Sequence, residues 1–170
     1  MRHTISMLVD NEPGVLARIA GLFSARGFNI ESLCVAETLD PMMSRITLVT
    51  TGEDWIIDQI IKRFNNMISV IKVQDLTELT SVEREMVLVR VEATQETKAE
   101  ILRMADIFRA KVVDVGSKSY ALGLTGDKDK VTAFIELLKP MGIIEIARTG
   151  VVAMAREIQD HKETRKKIFG

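Results

Sequence analysis

The chain repeats one order of predicted elements twice, and this internal repeat limits its possible folds more than any other feature. Apolar residues alternate along the predicted strands and recur every three or four positions along the predicted helices. In the first half, this pattern predicts strands over residues 3–9, 28–37, 44–51 and 68–76, with helices between 14 and 26 and between 54 and 64. In the second half, it predicts strands over 86–91, 111–115, 120–125 and 143–147, with helices over 94–108 and 129–138.

Both halves follow the order βαββαβ, which is the split arrangement of ferredoxin-like folds. We therefore predict an α+β protein of two tandem ferredoxin-like domains with antiparallel sheets. The predicted domains are residues 1–76 and 85–150, joined by a polar linker at 77–84. A tail follows at 151–170, where residues 153–167 could form one helix. That helix could be solvated, or it could dock a partner.

Each predicted domain is small and leaves one sheet face and two sheet edges without a covering element. Domains of this size bury a modest share of their surface and are marginally stable alone. Pairing between domains or subunits covers such edges, and closed symmetric dimers are the commonest solution. We expect a homo-oligomer, most simply a homodimer.

Charge and composition exclude several classes of partner. The chain has 23 basic and 24 acidic side chains, which is unlike the basic excess of nucleic-acid binders or of proteins bound to anionic membranes. No apolar run approaches a membrane span. The RNA-recognition motif shares this topology but stacks bases on aromatic strand residues. Here the third strand has no aromatic residue, and the matching strand of the second half has only Tyr120.

Residues for catalysis or metal binding are scarce. The only histidines are His3 and His161, and Cys34 is the single cysteine, which suits a reducing cytosol. We predict a cytoplasmic protein in which Cys34 is a small buried residue. No glycine-rich phosphate loop occurs. We therefore predict no catalytic residue, no metal site and no cofactor in this chain.

One candidate ligand site lies around two loops, at residues 10–14 and 27–30. A helix N-terminus can hold a carboxylate, and a glycine before it lets a ligand approach the backbone. Asparagine amides can both donate and accept, which suits a zwitterion. The candidate residues are Asn11, Gly14, Val15, Leu16, Asn29 and Ile30, of which Val15, Leu16 and Ile30 would form an apolar wall. Alternatively, Asn11 caps the helix and Asn29 serves a turn.

The sequence around this site resembles a known family. Residues 11–19 (NEPGVLARI) and 21–33 (GLFSARGFNIESL) resemble an ACT domain and, more narrowly, the regulatory (small) subunit of acetolactate synthase, also called acetohydroxyacid synthase. Further matches occur at residues 44–47, 82–85, 107–110 and 147–150. The resemblance covers nearly the whole chain. It implies an N-terminal ACT domain followed by an ACT-like domain.

The resemblance implies a non-catalytic role. In the family, a larger catalytic subunit carries thiamine diphosphate, Mg²⁺ and FAD. That subunit condenses two pyruvates, or pyruvate with 2-oxobutyrate, on the way to valine, leucine and isoleucine. The small subunit raises this activity and makes it sensitive to feedback by branched-chain amino acids, usually valine. The alternative is a free-standing amino-acid-sensing ACT protein with another target.

The resemblance also implies how the site is built. Family ACT domains pair side by side, with the effector at the interface. On this analogy, Asn11, Gly14, Val15 and Leu16 contact the effector from one subunit. Asn29 and Ile30 would contact it from the other.

Overall fold

The computed structural model describes residues 1–157 as two sheets with two helices packed on each. The first half contains β1 (Arg2–Asp10), α1 (Val15–Ser24), β2 (Ile30–Glu37), β3 (Met43–Thr51), α2 (Asp54–Asn65) and β4 (Val70–Asp75). The second contains β5 (Ser81–Glu92), α3 (Lys98–Phe108), β6 (Lys111–Val115), β7 (Ser119–Gly126), α4 (Lys128–Leu138), β8 (Ile143–Arg148) and β9 (Val152–Ala155).

The first sheet has the strand order β2-β3-β1-β4, and every neighbouring pair is antiparallel. Alternation along β1 directs Ile5 and Met7 to one face, where both are fully buried. Ile19 and Phe23 of α1 meet them at helical spacing, and Phe64 of α2 completes this core. The order of elements confirms the predicted fold in this half.

The second sheet repeats the arrangement as β6-β7-β5-β8. Val87 and Val89 of β5 are fully buried beneath Ile101 of α3 and Phe134 of α4. The molecule is therefore an α+β protein with two ferredoxin-like units in tandem, as predicted.

Three predicted boundaries need correction. The polar stretch 77–84 is not all linker, because β5 begins at Ser81. The tail does not begin as a helix at residue 153, because Val152–Ala155 form β9, which pairs with residues 81–84 of β5. This long-range pairing overrides the weak local preference for helix. The remainder of the predicted tail helix, from 158 onward, lies outside the described residues. Helix α1 ends at Ser24 and not at the predicted residue 26. Gly27 follows with a φ of +71°.

The paired strand segments at the start of β5 and in β9 lie over the open face of the first sheet. Ser6 of β1 and Thr47 of β3 point to that face and are nearly fully buried. Both line a cleft of about 490 Å³ whose other wall includes residues 152–155. The hydroxyl of Thr4 also donates to the Glu83 carboxylate at 2.9 Å. The two units are thus in direct contact. Within residues 1–157, no helix is both long and apolar enough to span a membrane.

Candidate functional site

The N-terminus of α1 is open to a ligand. Gly14 occupies the N-cap position with a φ of +86°, and no side chain caps the helix. A Cβ built on Gly14 would meet no atom within 4 Å, so the space in front of the helix is free. The first N–H groups of a helix lack partners within the helix and carry the positive end of its dipole. This end of α1 can therefore receive a carboxylate.

The two residues after Gly14 point in different directions. Leu16 is 40% exposed and can form an apolar wall beside the helix end. The side chain of Val15 is 2% exposed and packs in the core of the first unit. The prediction that the Val15 side chain lines the site is therefore wrong, because the helix turns this position toward the sheet. Val15 can contribute its backbone alone.

The side chain of Asn11 holds the neighbouring turn. Its amide donates to the Glu37 carboxylate at 3.2 Å and to the Pro41 carbonyl oxygen at 2.9 Å. The alternative that Asn11 caps α1 is wrong, since neither bond goes to the helix. Because the amide nitrogen makes both contacts, the side-chain oxygen can still accept from a ligand.

Asn29 and Ile30 lie at the start of β2. The Asn29 side chain is exposed, and its backbone carbonyl accepts from the Thr50 hydroxyl at 2.7 Å. Ile30 pairs with Thr50 on β3 and packs partly against the core. The pairing shifts by one residue between Ile30 and Ser32, which marks an irregularity at the start of this edge strand.

A single chain does not bring the residues at the start of α1 together with Asn29 and Ile30 at the start of β2. Strands β1 and β2 both run antiparallel to β3, so they run parallel to each other. Asn11 follows the end of β1 and contacts Glu37 at the end of β2, whereas Asn29 precedes the start of β2. The two halves of the candidate site therefore lie at opposite ends of the sheet.

Sequence reasoning missed Glu37, which contacts Asn11. The signal was available in the topology, because parallel strands flanking a common neighbour end at the same edge of a sheet. Cys34 of β2 was predicted to be buried but is only half-buried. It faces the cleft beneath β9, because alternation places it opposite to Leu33, which packs against the core.

A charged pair lies at the junction of the two units. Arg148 donates from Nε to Glu85 Oε1 at 2.6 Å and from a terminal nitrogen to Oε2 at 3.0 Å. The Glu85 side chain is 5% exposed. The hydrogen bonds that Arg148 donates to Glu85 raise the pKa of Arg148 above the ordinary value for arginine. The guanidinium therefore stays charged and compensates a buried carboxylate.

Comparison with known proteins identifies the family to which both units belong. Residues 5–72 match the model of the AHAS small subunit-like ACT domain, and residues 84–157 match that of the small subunit of acetolactate synthase. A probable acetolactate synthase small subunit of Archaeoglobus fulgidus is 54% identical over 156 residues, which cover 92% of this chain and 98% of that protein. The chain belongs to the acetolactate synthase small-subunit family. This family is that of the regulatory subunit, which is distinct from the catalytic subunit.

Two further relatives support the same assignment to the acetolactate synthase small subunits. The small subunit of Aquifex aeolicus is 48% identical over 163 residues, covering 95% of this chain and 85% of that protein. The crystal structure of the acetolactate synthase small subunit from Thermotoga maritima superposes with a TM-score of 0.84 at 43% identity. That superposition covers 93% of this chain and 99% of the Thermotoga chain. The Thermotoga small subunit thus shares the tandem arrangement of both units.

Proposed function

We propose that this small subunit activates a catalytic acetolactate synthase subunit in the cytoplasm and makes it sensitive to feedback by a branched-chain amino acid, most simply valine. The relatives, which are small subunits by name, support the choice of partner. Thiamine diphosphate, Mg²⁺ and FAD would reside in the catalytic subunit. This chain would contribute control and no chemical step.

The proposal is supported mainly by the positions of two groups of residues along the edge strand β2. Asn11 contacts Glu37 at the end of β2, whereas Asn29 and Ile30 lie at its start. If β2 pairs antiparallel with β2 of a second copy, the start of one strand lies beside the end of the other. Asn29 and Ile30 of the partner subunit would then approach Glu37, Asn11 and the open end of α1. This homodimer would also cover an exposed strand edge. It would form two equivalent sites, each built from both chains.

Such a site suits a zwitterion with an aliphatic side chain. The end of α1 would hold the carboxylate through N–H groups at a backbone made accessible by Gly14. The side-chain oxygen of Asn11 and the Glu37 carboxylate would accept from the ammonium group. Leu16 on one side, with the partner's Ile30 on the other, would enclose the aliphatic side chain. Hydrogen bonds to charged groups contribute about 1.5–3 kcal/mol each, which is enough to recognise a small amino acid.

Feedback then follows from linkage. Valine inhibits only if it binds one arrangement of the assembled enzyme better than another. A tenfold inhibition needs a difference in binding free energy of about 1.4 kcal/mol. A ligand held between two chains can supply this difference, since its contacts change whenever the two ACT units shift relative to each other.

A mixed-dimer experiment tests the shared site. In a homodimer, Gly14→Asp would disable both sites, and Asn29→Ala would weaken both sites. A heterodimer with one substitution in each chain has both changes in one site and leaves the other intact. Calorimetry with valine should therefore show no measurable tight binding to the Gly14→Asp homodimer. The heterodimer should bind one valine per dimer with wild-type affinity. A heterodimer that binds no better than the parent homodimers would contradict a site shared between chains.

A further inference from the structure

Ser32 of β2 is joined directly to the second unit. The backbone N–H of Val151 donates to the Ser32 hydroxyl oxygen at 2.8 Å. Gly150, with a φ of +80°, packs against the same stretch. A Cβ on Gly150 would lie 2.8 Å from Ser32 Oγ and 3.3 Å from the Leu33 carbonyl oxygen. The turn at residues 149–151 therefore fits against β2 with no room for even one further carbon atom.

This turn lies where β5 changes its pairing partner. Residues 81–84 of β5 pair with β9, and residues 87–91 pair with β8. Glu85 lies between these two stretches, where the Arg148 guanidinium at the end of β8 fixes its carboxylate. Because the turn joins β8 to β9, a displacement of the turn moves both strands. It therefore changes how the second sheet lies on the first unit.

The start of β2, which lies at the proposed dimer interface, is irregular. The irregular pairing with β3 falls between Ile30 and Ser32. A local irregularity of this kind alters the twist and direction of a strand. A contact made at Asn29 or Ile30 would thus act on β2 two or three residues away from the bond to Val151.

We infer that the contact of Ser32 with the turn at 149–151 transmits the effector signal from the dimer interface to the second unit. This inference rests on the function proposed above. It makes Ser32 a positioning residue for feedback, acting through Val151 without contacting the effector. Binding of valine and inhibition by valine then become separable properties, because the hydroxyl of Ser32 serves only the second.

The test compares Ser32→Ala with the wild type in two assays. Calorimetry measures valine binding to the small subunit. Acetolactate formation by the complex with the catalytic subunit, without and with saturating valine, measures inhibition. Ser32→Ala should bind valine as the wild type does, whereas the inhibition factor should fall by about 2- to 12-fold, the factor that one ordinary hydrogen bond represents. Normal inhibition of Ser32→Ala, or loss of its valine binding, would overturn the inference.

Thr4→Val is the matched control. It removes a different side-chain hydrogen bond between the units, from Thr4 to Glu83 at 2.9 Å, and it keeps the shape of the side chain. Its inhibition should stay at the wild-type level. An equal loss in Thr4→Val would overturn the special role of β2. If the wild type itself binds no valine, the proposed function fails at that first step, and this result is distinguishable from a failure of coupling.

A second pair of variants perturbs the same contact from the other side. Gly150→Ala places a Cβ against Ser32 and should also uncouple inhibition from binding. Gly142→Ala introduces comparable backbone strain at a φ of +90°, but its Cβ would meet only the Glu92 side chain in the second unit. Gly142→Ala should keep normal feedback. Uncoupling in both glycine variants would assign the effect to loss of stability and contradict the inference.

Discussion

The side-chain amide of Asn11 donates to the Glu37 carboxylate at 3.2 Å, so the end of β1 is tied to the end of β2. The same nitrogen also reaches the Pro41 carbonyl oxygen in the turn after β2. Asn11 therefore has a structural role that is independent of any ligand. In the proposed dimer, this corner is the one that faces the partner's Asn29.

Asn11→Ala should weaken both stability and effector binding. Loss of two exposed hydrogen bonds should lower the free energy of unfolding by about 0.5–1.5 kcal/mol, measured by urea denaturation. Valine affinity should fall as well, because the turn loosens and one acceptor is lost. Thr38→Val, which removes a hydroxyl from the β2–β3 turn without touching the proposed ligand, controls for general loosening of that turn. Equal affinity in wild type and Asn11→Ala would contradict the site.

Gly14→Asp should abolish feedback and leave activation intact. The new carboxylate would lie in the open space before α1, where it would compete with the carboxylate of the effector for the same N–H groups. Gly14→Asn is the matched control, since it has nearly the same size, also tolerates a positive φ and carries no charge. Acetolactate formation with increasing valine measures both variants. Gly14→Asp should resist valine far more than Gly14→Asn does. Inhibition of Gly14→Asp at wild-type valine concentrations would refute the location.

Asn29→Ala should reduce valine affinity with little change in stability. Its exposed side chain would lose one hydrogen bond to the zwitterion, worth roughly 1–3 kcal/mol, or about 5- to 150-fold in the dissociation constant. Asn65→Ala, at an exposed position near the end of α2, serves as the control. Calorimetry measures the dissociation constant of valine for both variants. An unchanged dissociation constant for Asn29→Ala would move the ligand elsewhere.

Arg148→Met should destabilise the junction between the units. It leaves the buried Glu85 carboxylate without its partner, which should cost about 2–3 kcal/mol, less than in a fully buried pair because Arg148 is itself half exposed. Adding Glu85→Gln should recover part of this loss, as measured by chemical denaturation of the single and double variants. Equal destabilisation by Arg148→Met and by the double variant would show that the charge pair has no special role.

The effect of pH on this pair follows from the pKa of Arg148. Hydrogen bonding to Glu85 raises that pKa in the folded state. The associated stability is therefore fully present below the pKa of a free arginine and is lost only as the pH rises through the higher folded value. The coupling energy between Arg148 and Glu85 should be the same at about pH 7 and about pH 9. A steady decline of the coupling energy over this pH interval would contradict a raised pKa of Arg148.

Much of the fold could be predicted because its signals are local. Ile5 and Met7 alternate along β1, and Ile19 and Phe23 recur along α1, so each element carries its own pattern. Strand β9 could not be predicted in this way. Its residues are compatible with a helix, and only pairing with a segment about 70 residues earlier makes them a strand.

The features of the candidate site also differ in whether a local sequence pattern could predict them. The open helix end could be predicted from Gly14 and the positions around it, because a turn followed by helical spacing is a local pattern. The burial of Val15 and the bond from Asn11 to Glu37 could not, since each depends on how elements pack together. The link from Ser32 to Val151 spans 119 residues and is likewise a property of the folded chain alone.

The other predictions depend on one function, the control of a catalytic acetolactate synthase subunit by this chain in response to valine. The most direct measurement is acetolactate formation by the purified catalytic subunit of the same organism, alone, with this protein, and with this protein plus valine. The protein should raise the rate of acetolactate formation, and valine should reverse the increase. A rate that does not change when the protein is added would contradict it.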